Sequence, residues 1–174
     1  MTRFAKMPPG TLDREGFLAR YAAVYEHSPW IAGAVWDEGA ASDDVETLAG
    51  AMAARVEAAG EAAQLALLRT HPDLAGKLAF RGALTPESTS EQAGAGLDRC
   101  SADEFEEFQR LNDAYQARFG FPFILAVKGH DRAGILDAFR RRAANGPAAE
   151  LREALDQVHR IARLRLQALA EETP

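Results

Sequence analysis

Of the four histidines in the sequence, only His71 sits in a run of residues suited to handling protons and charge: Arg69-Thr70-His71-Pro72-Asp73-Leu74-Ala75-Gly76-Lys77. An unperturbed imidazole titrates near pH 6.5, about where proton transfer at neutral pH is served best. Pro72 disfavours the helical conformation at the residue before it, so the preceding helix should end at His71 while Pro72 and Asp73 open the next. An imidazole at such a junction either faces a pocket or caps the last carbonyls of the helix before it. His27, His130 and His159 have no metal-binding spacing to His71, such as His-x-x-x-His, and no metal is expected.

A second cluster follows at Thr85-Pro86-Glu87-Ser88-Thr89-Ser90-Glu91-Gln92. Thr85 is placed to cap a helix whose first residue is Pro86. Ser88, Glu91 and Gln92 then stand at i, i+3 and i+4, on one face, where a hydroxyl, a carboxylate and an amide can meet one ligand or simply meet water. Glu91 is the natural acidic partner for His71, and Glu87 falls on a different, solvated face. A third feature is the apolar run Phe121-Pro122-Phe123-Ile124-Leu125-Ala126-Val127, whose backbone N–H and C=O groups would have no sheet partners and could serve a polar ring, although most of its side chains read as core. In the last helix Arg163 and Arg165 flank Leu164, and either one could turn inward as a carboxylate clamp or stay solvated.

The elements that must position these groups are helices. Val45, Leu48, Ala49, Met52 and Val56 follow helical periodicity, with Asp43 and Glu46 expected as a capping box and Gly60 as the stop. Further helices are expected over residues 12–25, 61–70, 86–95, 102–119 (with Ser101 and Glu104 as a second capping box), 132–144 and 147–171, about seven in all. Residues 121–127 are the exception, since a lone strand forms no sheet and should run as a buried extended segment between helices. Trp30 is expected to anchor the N-terminal helix on the core. The expected architecture is an all-α, single-domain helical bundle over residues 1–174, with residues 1–10 as a loosely ordered tail.

Composition narrows the field of functions. With 174 residues, 47% of them hydrophobic, the chain can bury a core around a small-molecule pocket. A net charge of -6 argues against affinity drawn from nucleic-acid phosphates. The single Cys100 excludes an intrachain disulfide framework and suits a reducing cytoplasm. There is no signal-peptide run, no stretch of 18 apolar residues and no C-terminal peroxisomal tripeptide, so no membrane partner is expected.

Several segments together carry a resemblance: Ser28-Pro29-Trp30-Ile31, the run from His71 to Lys77, Leu84-Thr85 with Ser88, Glu91 and Gln92, Ala95-Gly96-Leu97, Leu111-Asn112 with Ala114-Tyr115, and Phe119 to Ile124 followed by Ala126 to Gly129. In order and spacing, from about residue 12 to residue 170, the chain resembles the decarboxylases of OHCU, 2-oxo-4-hydroxy-4-carboxy-5-ureidoimidazoline. The resemblance implies an all-α fold, a homodimer, no cofactor, and release of CO2 from OHCU to give (S)-allantoin in urate breakdown. It implies that His71 is the catalytic histidine and Glu91 its partner, and that Pro72, Ser88, Gln92, Phe121, Phe123, Ile124 and Leu125 fall where the family binds substrate. Arg165 best matches the family's final-helix arginine, with Arg163 the alternative. Two other functions use similar parts. His-Pro-Asp between helices also marks the J-domain co-chaperones, but the helix before it here carries one basic residue, Arg69, and lacks their basic face. A helical ligand-binding protein that kept the fold without the activity is the other.

Overall fold

The computed structural model describes residues 1–74 and 85–172. Ala75, Gly76, Lys77 and Leu84, with the body of the helix expected to open at Pro72 and Asp73, lie outside the described residues. The chain is all-α, as expected. Among the described residues there are eight α-helices, three short 3-10 turns and a single isolated antiparallel bridge, Arg3 with Asp44. They divide into two compact units, one of residues Met1–Thr70 with Val158–Pro174 and the other of residues His71–Gln157.

The first unit begins with α1 (Arg14–Tyr21), whose N-terminal N–H groups are met by the Asp13 carboxylate, accepting from the Gly16 N–H at 2.8 Å. The helix expected over 12–25 stops at Tyr21 and tightens into a 3-10 turn at Ala22–Val24. Then comes α2 (Pro29–Asp37), which periodicity misses. Its residues are almost all apolar, so no polar face marks the helical repeat, and only Pro29 at the first position signals the start. Within it Ile31 and Val35 are fully buried while Trp30 is 41% exposed. The expected anchoring role of Trp30 is therefore wrong: Trp36, 5.2 Å from Phe17 ring to ring, packs there instead.

The next helix, α3 (Val45–Ala58), buries the predicted stripe Val45, Leu48, Ala49, Met52 and Val56. Its cap is not Asp43 with Glu46. Asp44 accepts from the Thr47 N–H at 2.9 Å and the Thr47 hydroxyl at 2.8 Å, while Asp43 accepts from the Gly10 N–H at 2.7 Å. Residues 1–10, expected to be loose, are held through that bond and three more. The Phe4 N–H donates to the Asp43 carbonyl, the Val45 N–H to the Thr2 carbonyl, and the Tyr21 hydroxyl to the Met7 carbonyl. Phe4 is buried, edge-on to Tyr21 at 5.2 Å. After Gly60 comes α4 (Glu61–Arg69), and the Thr70 hydroxyl closes it by donating to the Leu67 carbonyl at 2.8 Å.

The second unit holds α5 (Pro86–Gly94), α6 (Ala102–Phe119) and α7 (Arg132–Ala143). The predicted capping box of α6 is present: the Glu104 N–H donates to the Ser101 hydroxyl, and the Ser101 N–H to the Glu104 carboxylate. Gly120 ends α6 at φ 77°, a left-handed conformation that glycine adopts without strain. Phe108, Tyr115, Phe123, Ile135 and Phe139 are fully buried, with Phe123 stacked on Phe139 at 3.9 Å. The last helix, α8 (Pro147–Glu171), gives residues 147–157 to this unit and residues from Val158 onward to the first.

Candidate active site

Three parts of the second unit carry the residues singled out by chemistry: the stretch His71 to Leu74, the α5 face and residues 121–127. Two amides fasten the first of these. Gln92 on α5 donates to the Asp73 carbonyl at 3.3 Å, and Asn112 on α6 donates to the Leu74 carbonyl at 2.9 Å. The stretch bearing His71 and Pro72 is thus fixed at both of its following residues, by two helices that come later in the sequence. His71 and Pro72 are half-buried, which leaves the imidazole within reach of a small molecule. On α5 the Thr85 hydroxyl caps the helix by accepting from the Ser88 N–H at 3.3 Å. The expected face divides by depth: Ser88 and Gln92 are buried, Glu91 is half-buried, and Glu87 is exposed on another face as expected.

Residues 121–127 are all buried and belong to no helix or strand. Two side chains engage this backbone among the described residues: Arg142 donates to the Ile124 carbonyl, and Gln157 accepts from the Ala126 N–H at 2.9 Å. The N–H groups of Phe123, Ile124 and Leu125 meet no hydrogen-bond partner among the described residues. Buried backbone donors are nearly always paired, so three successive unspent ones mark a place built for a ligand or water. Asn112 and Tyr115, at i and i+3 on α6, join the parts: Asn112 holds the Leu74 carbonyl, and the Tyr115 ring packs on Phe121 and, at 5.3 Å, on Phe123. Asn112 is 3% exposed and its Oδ1 is buried with no partner among the described residues, an acceptor left over.

Beneath that segment lies a charged cluster that no sequence motif marks. Arg142 and Glu150 form a fully buried ion pair, with the Arg142 Nε at 2.8 Å and Nη2 at 2.6 Å from the same Glu150 oxygen. The Tyr115 hydroxyl donates to that oxygen, Asn145 donates to the other at 2.9 Å, and the Arg142 guanidinium lies 4.5 Å from the Phe123 ring centre. Burial, and then the carboxylate it touches, push the Tyr115 hydroxyl above its ordinary pKa, so it stays a donor. The only advance signal was Arg142 itself, third in the Arg140-Arg141-Arg142 run at the end of an otherwise amphipathic helix.

In the first unit the two candidate arginines of α8 separate cleanly. Arg165 is 7% exposed and pairs with the buried Glu26 at 3.2 Å, while Arg163 is exposed and pairs with the exposed Glu46. Arg165 also reaches the carbonyl of Val24 at 3.4 Å. His159 on the same helix lies 2.9 Å from the Glu57 carboxylate through Nε2 and 2.8 Å from the Tyr25 hydroxyl through Nδ1. Since a carboxylate only accepts, Nε2 carries the proton toward Glu57, and in the neutral ring the Tyr25 hydroxyl donates to Nδ1. Burial raises the Tyr25 pKa and keeps that hydroxyl protonated. Among the described residues no three His, Cys, Asp or Glu side chains cluster so as to hold a metal ion, and no helix is long and apolar enough to cross a membrane.

A half-buried imidazole, a helical face of hydroxyl, carboxylate and amide, and unspent backbone donors are the parts of an acid–base enzyme that handles a small polar molecule. Comparison with known proteins narrows that class. Residues 10–167 match the OHCU decarboxylase family, and the chain belongs to it. Among its relatives, the 2-oxo-4-hydroxy-4-carboxy-5-ureidoimidazoline decarboxylase of Haloferax volcanii is 44% identical over 155 residues, covering 89% of each chain. The enzyme of the same name from Halalkalicoccus jeotgali is 43% identical over 169 residues, covering 97% of this chain and 93% of that one. The crystal structure of an (S)-allantoin synthase superposes with a TM-score of 0.73 at 30% identity, over 92% of this chain. This chain spans about half of that one, 52%.

Proposed function

We infer that this protein removes CO2 from OHCU to give allantoin in urate breakdown. One observation ties that reading to the site: Gln92 of the α5 face donates to the Asp73 carbonyl, two residues after His71, so the imidazole stretch and the polar face are parts of one construction. The chemistry asks little else of a protein. OHCU carries its carboxylate and hydroxyl on C4, and the adjacent C5 is an imine carbon. As the bond from C4 to the carboxylate breaks, its electron pair forms a C4–C5 double bond and the imine electrons move onto nitrogen, which takes a proton. The enol so formed gives up its hydroxyl proton as C4 becomes a carbonyl, and C5 gains one. The imine is thus the electron sink, a task that other decarboxylases give to a cofactor, and a cofactor-free site is sufficient.

In this reading His71 exchanges the proton with the hydroxyl or with the developing enol, and Glu91 holds the ureido and ring nitrogens so that one face of C5 is protonated, giving (S)-allantoin. Ser88, Gln92 and Pro72 line the ring, and the N–H groups at Phe123, Ile124 and Leu125, the stretch that Phe121 opens, supply donors for its oxygens. The spare Oδ1 of Asn112 is suited to an N–H of the ureido group. We also read the protein as a homodimer of the reducing cytoplasm; sedimentation at twice 18.9 kDa supports the dimer and at once that mass removes it.

The deciding experiment is circular dichroism at an allantoin-sensitive wavelength, with OHCU generated in place by urate oxidase and hydroxyisourate hydrolase. Rapid appearance of one enantiomer is expected. A trace no faster than the spontaneous racemic decay sinks the decarboxylase reading and leaves a binding protein. Since placed acid–base catalysis is worth about 10²- to 10⁴-fold, His71→Ala should lose about that much rate, and full turnover by His71→Asn would remove His71 from its role.

A further inference from the structure

The unspent donors of residues 123–125 are useful only if that backbone is held still, and it has no sheet to hold it. We propose that Arg142, itself gripped by Glu150, is a positioning residue for substrate binding, clamping the Ile124 carbonyl so that the N–H groups at Phe123, Ile124 and Leu125 stay presented to the ring. The proposal rests on the decarboxylase reading for the identity of the ring.

Three observations carry it. First, the pair is costly: two charges, 3% and 0% exposed, have been taken out of water, and an apolar pair of similar size would serve a core as well or better. A buried pair kept at that cost calls for a reason other than stability. Second, its geometry is fully used and directed. Nε and Nη2 of Arg142 are spent on Glu150, both Glu150 oxygens are occupied, and Nη1 goes to one backbone carbonyl in the stretch where donors stand open. Third, the guanidinium plane lies 4.5 Å from the Phe123 ring, so the same side chain fixes both a carbonyl and the ring one residue before it. Gln157 completes the hold at the Ala126 N–H, two residues on. A lysine could carry the charge but not the fork that grips Glu150 and Ile124 together.

Two variants test this. Arg142→Lys keeps the charge and loses the fork. Arg142→Met combined with Glu150→Gln removes both charges yet leaves an acceptor for Tyr115 and, once the Asn145 amide turns over, a donor for Asn145, so it should stay folded where a lone Arg142→Met, with the buried Glu150 charge left without its cation, should not. Both should raise KM about 10-fold or more while kcat stays within about threefold and the pH profile of kcat keeps its shape, because His71 and Glu91 are untouched. Amide exchange gives a second readout without substrate: the Phe123, Ile124 and Leu125 amides should exchange at least about 10-fold faster in the double variant, with those of α3 unchanged. A KM within twofold of wild type, with wild-type exchange at those amides, would overturn the proposal and make the pair a folding element only. If the wild-type protein fails to turn over OHCU, the functional reading falls by itself, and the exchange rates alone decide whether Arg142 positions the segment.

Discussion

Arg163 and Arg165 show what a side chain's surroundings do to its worth. Both carry one charge on α8, and both pair with a glutamate. The Arg163 pair with Glu46 is exposed, where solvent and salt screen it, so Arg163→Ala should change stability by less than about 1 kcal/mol. Arg165→Ala takes from the buried Glu26 carboxylate its partner at 3.2 Å and should lower the urea midpoint more than Arg163→Ala does, with part of that loss recovered when Glu26→Leu is added. Equal effects of the two single variants would contradict the assigned burial. Residue types and spacing in the sequence single out His71, Ser88, Glu91 and Gln92 as candidates, because proton chemistry and one helical face leave a local signature. They could not choose between Arg163 and Arg165, since two places along a helix reverse the face but do not say which face is inward. The deciding partner, Glu26, is 139 residues away.

Local signals did better where an element ends than where it is uniform. The Ser101 and Glu104 capping box was legible and is present, and Ser101→Ala should cost about 1 kcal/mol through loss of the α6 cap, read as a lower urea midpoint. The burial of residues 121–127 was legible from a run of apolar residues between Gly120 and the next cap. Helix α2 was not, since an apolar stretch with no polar face has no period to detect. At α3 the cap was misplaced by one residue because Asp43 and Asp44 are equally good caps in isolation, and the bond from the Gly10 N–H decides which is spent elsewhere. Asp44 then carries a pH dependence. The N–H and hydroxyl of Thr47 hold its carboxyl below the ordinary value that the unfolded chain retains. Its contribution is therefore complete above that ordinary value, about pH 4, and is lost as pH falls through the lowered one. Below about pH 4 wild-type stability should fall more steeply than that of Asp44→Asn, and parallel curves would refute the assignment.

At the scale of the molecule, composition and periodicity announced an all-α chain with room for a small-molecule site, but nothing in them marked a boundary inside the last helix. The first unit is discontinuous in sequence, taking residues Met1–Thr70 and then Val158 onward, whereas the second is the unbroken run His71–Gln157. Trp30 and Trp36, the only two tryptophans, both lie in the first unit and report on it alone. A chain stopped after Gln157 loses Ile161, Ala162, Arg165 and Leu166, all buried. It should lose the cooperative tryptophan-fluorescence transition while a far-ultraviolet dichroism transition from residues 71–157 persists. That arrangement also sets an order during synthesis. Residues 71–157 are synthesised before the final stretch, so the part translated first must wait to be finished last. Until it is, Tyr25 lacks His159 and Arg20 lacks the Leu169 carbonyl and Glu172, and a stalled ribosome would present that opened surface to chaperones and proteases.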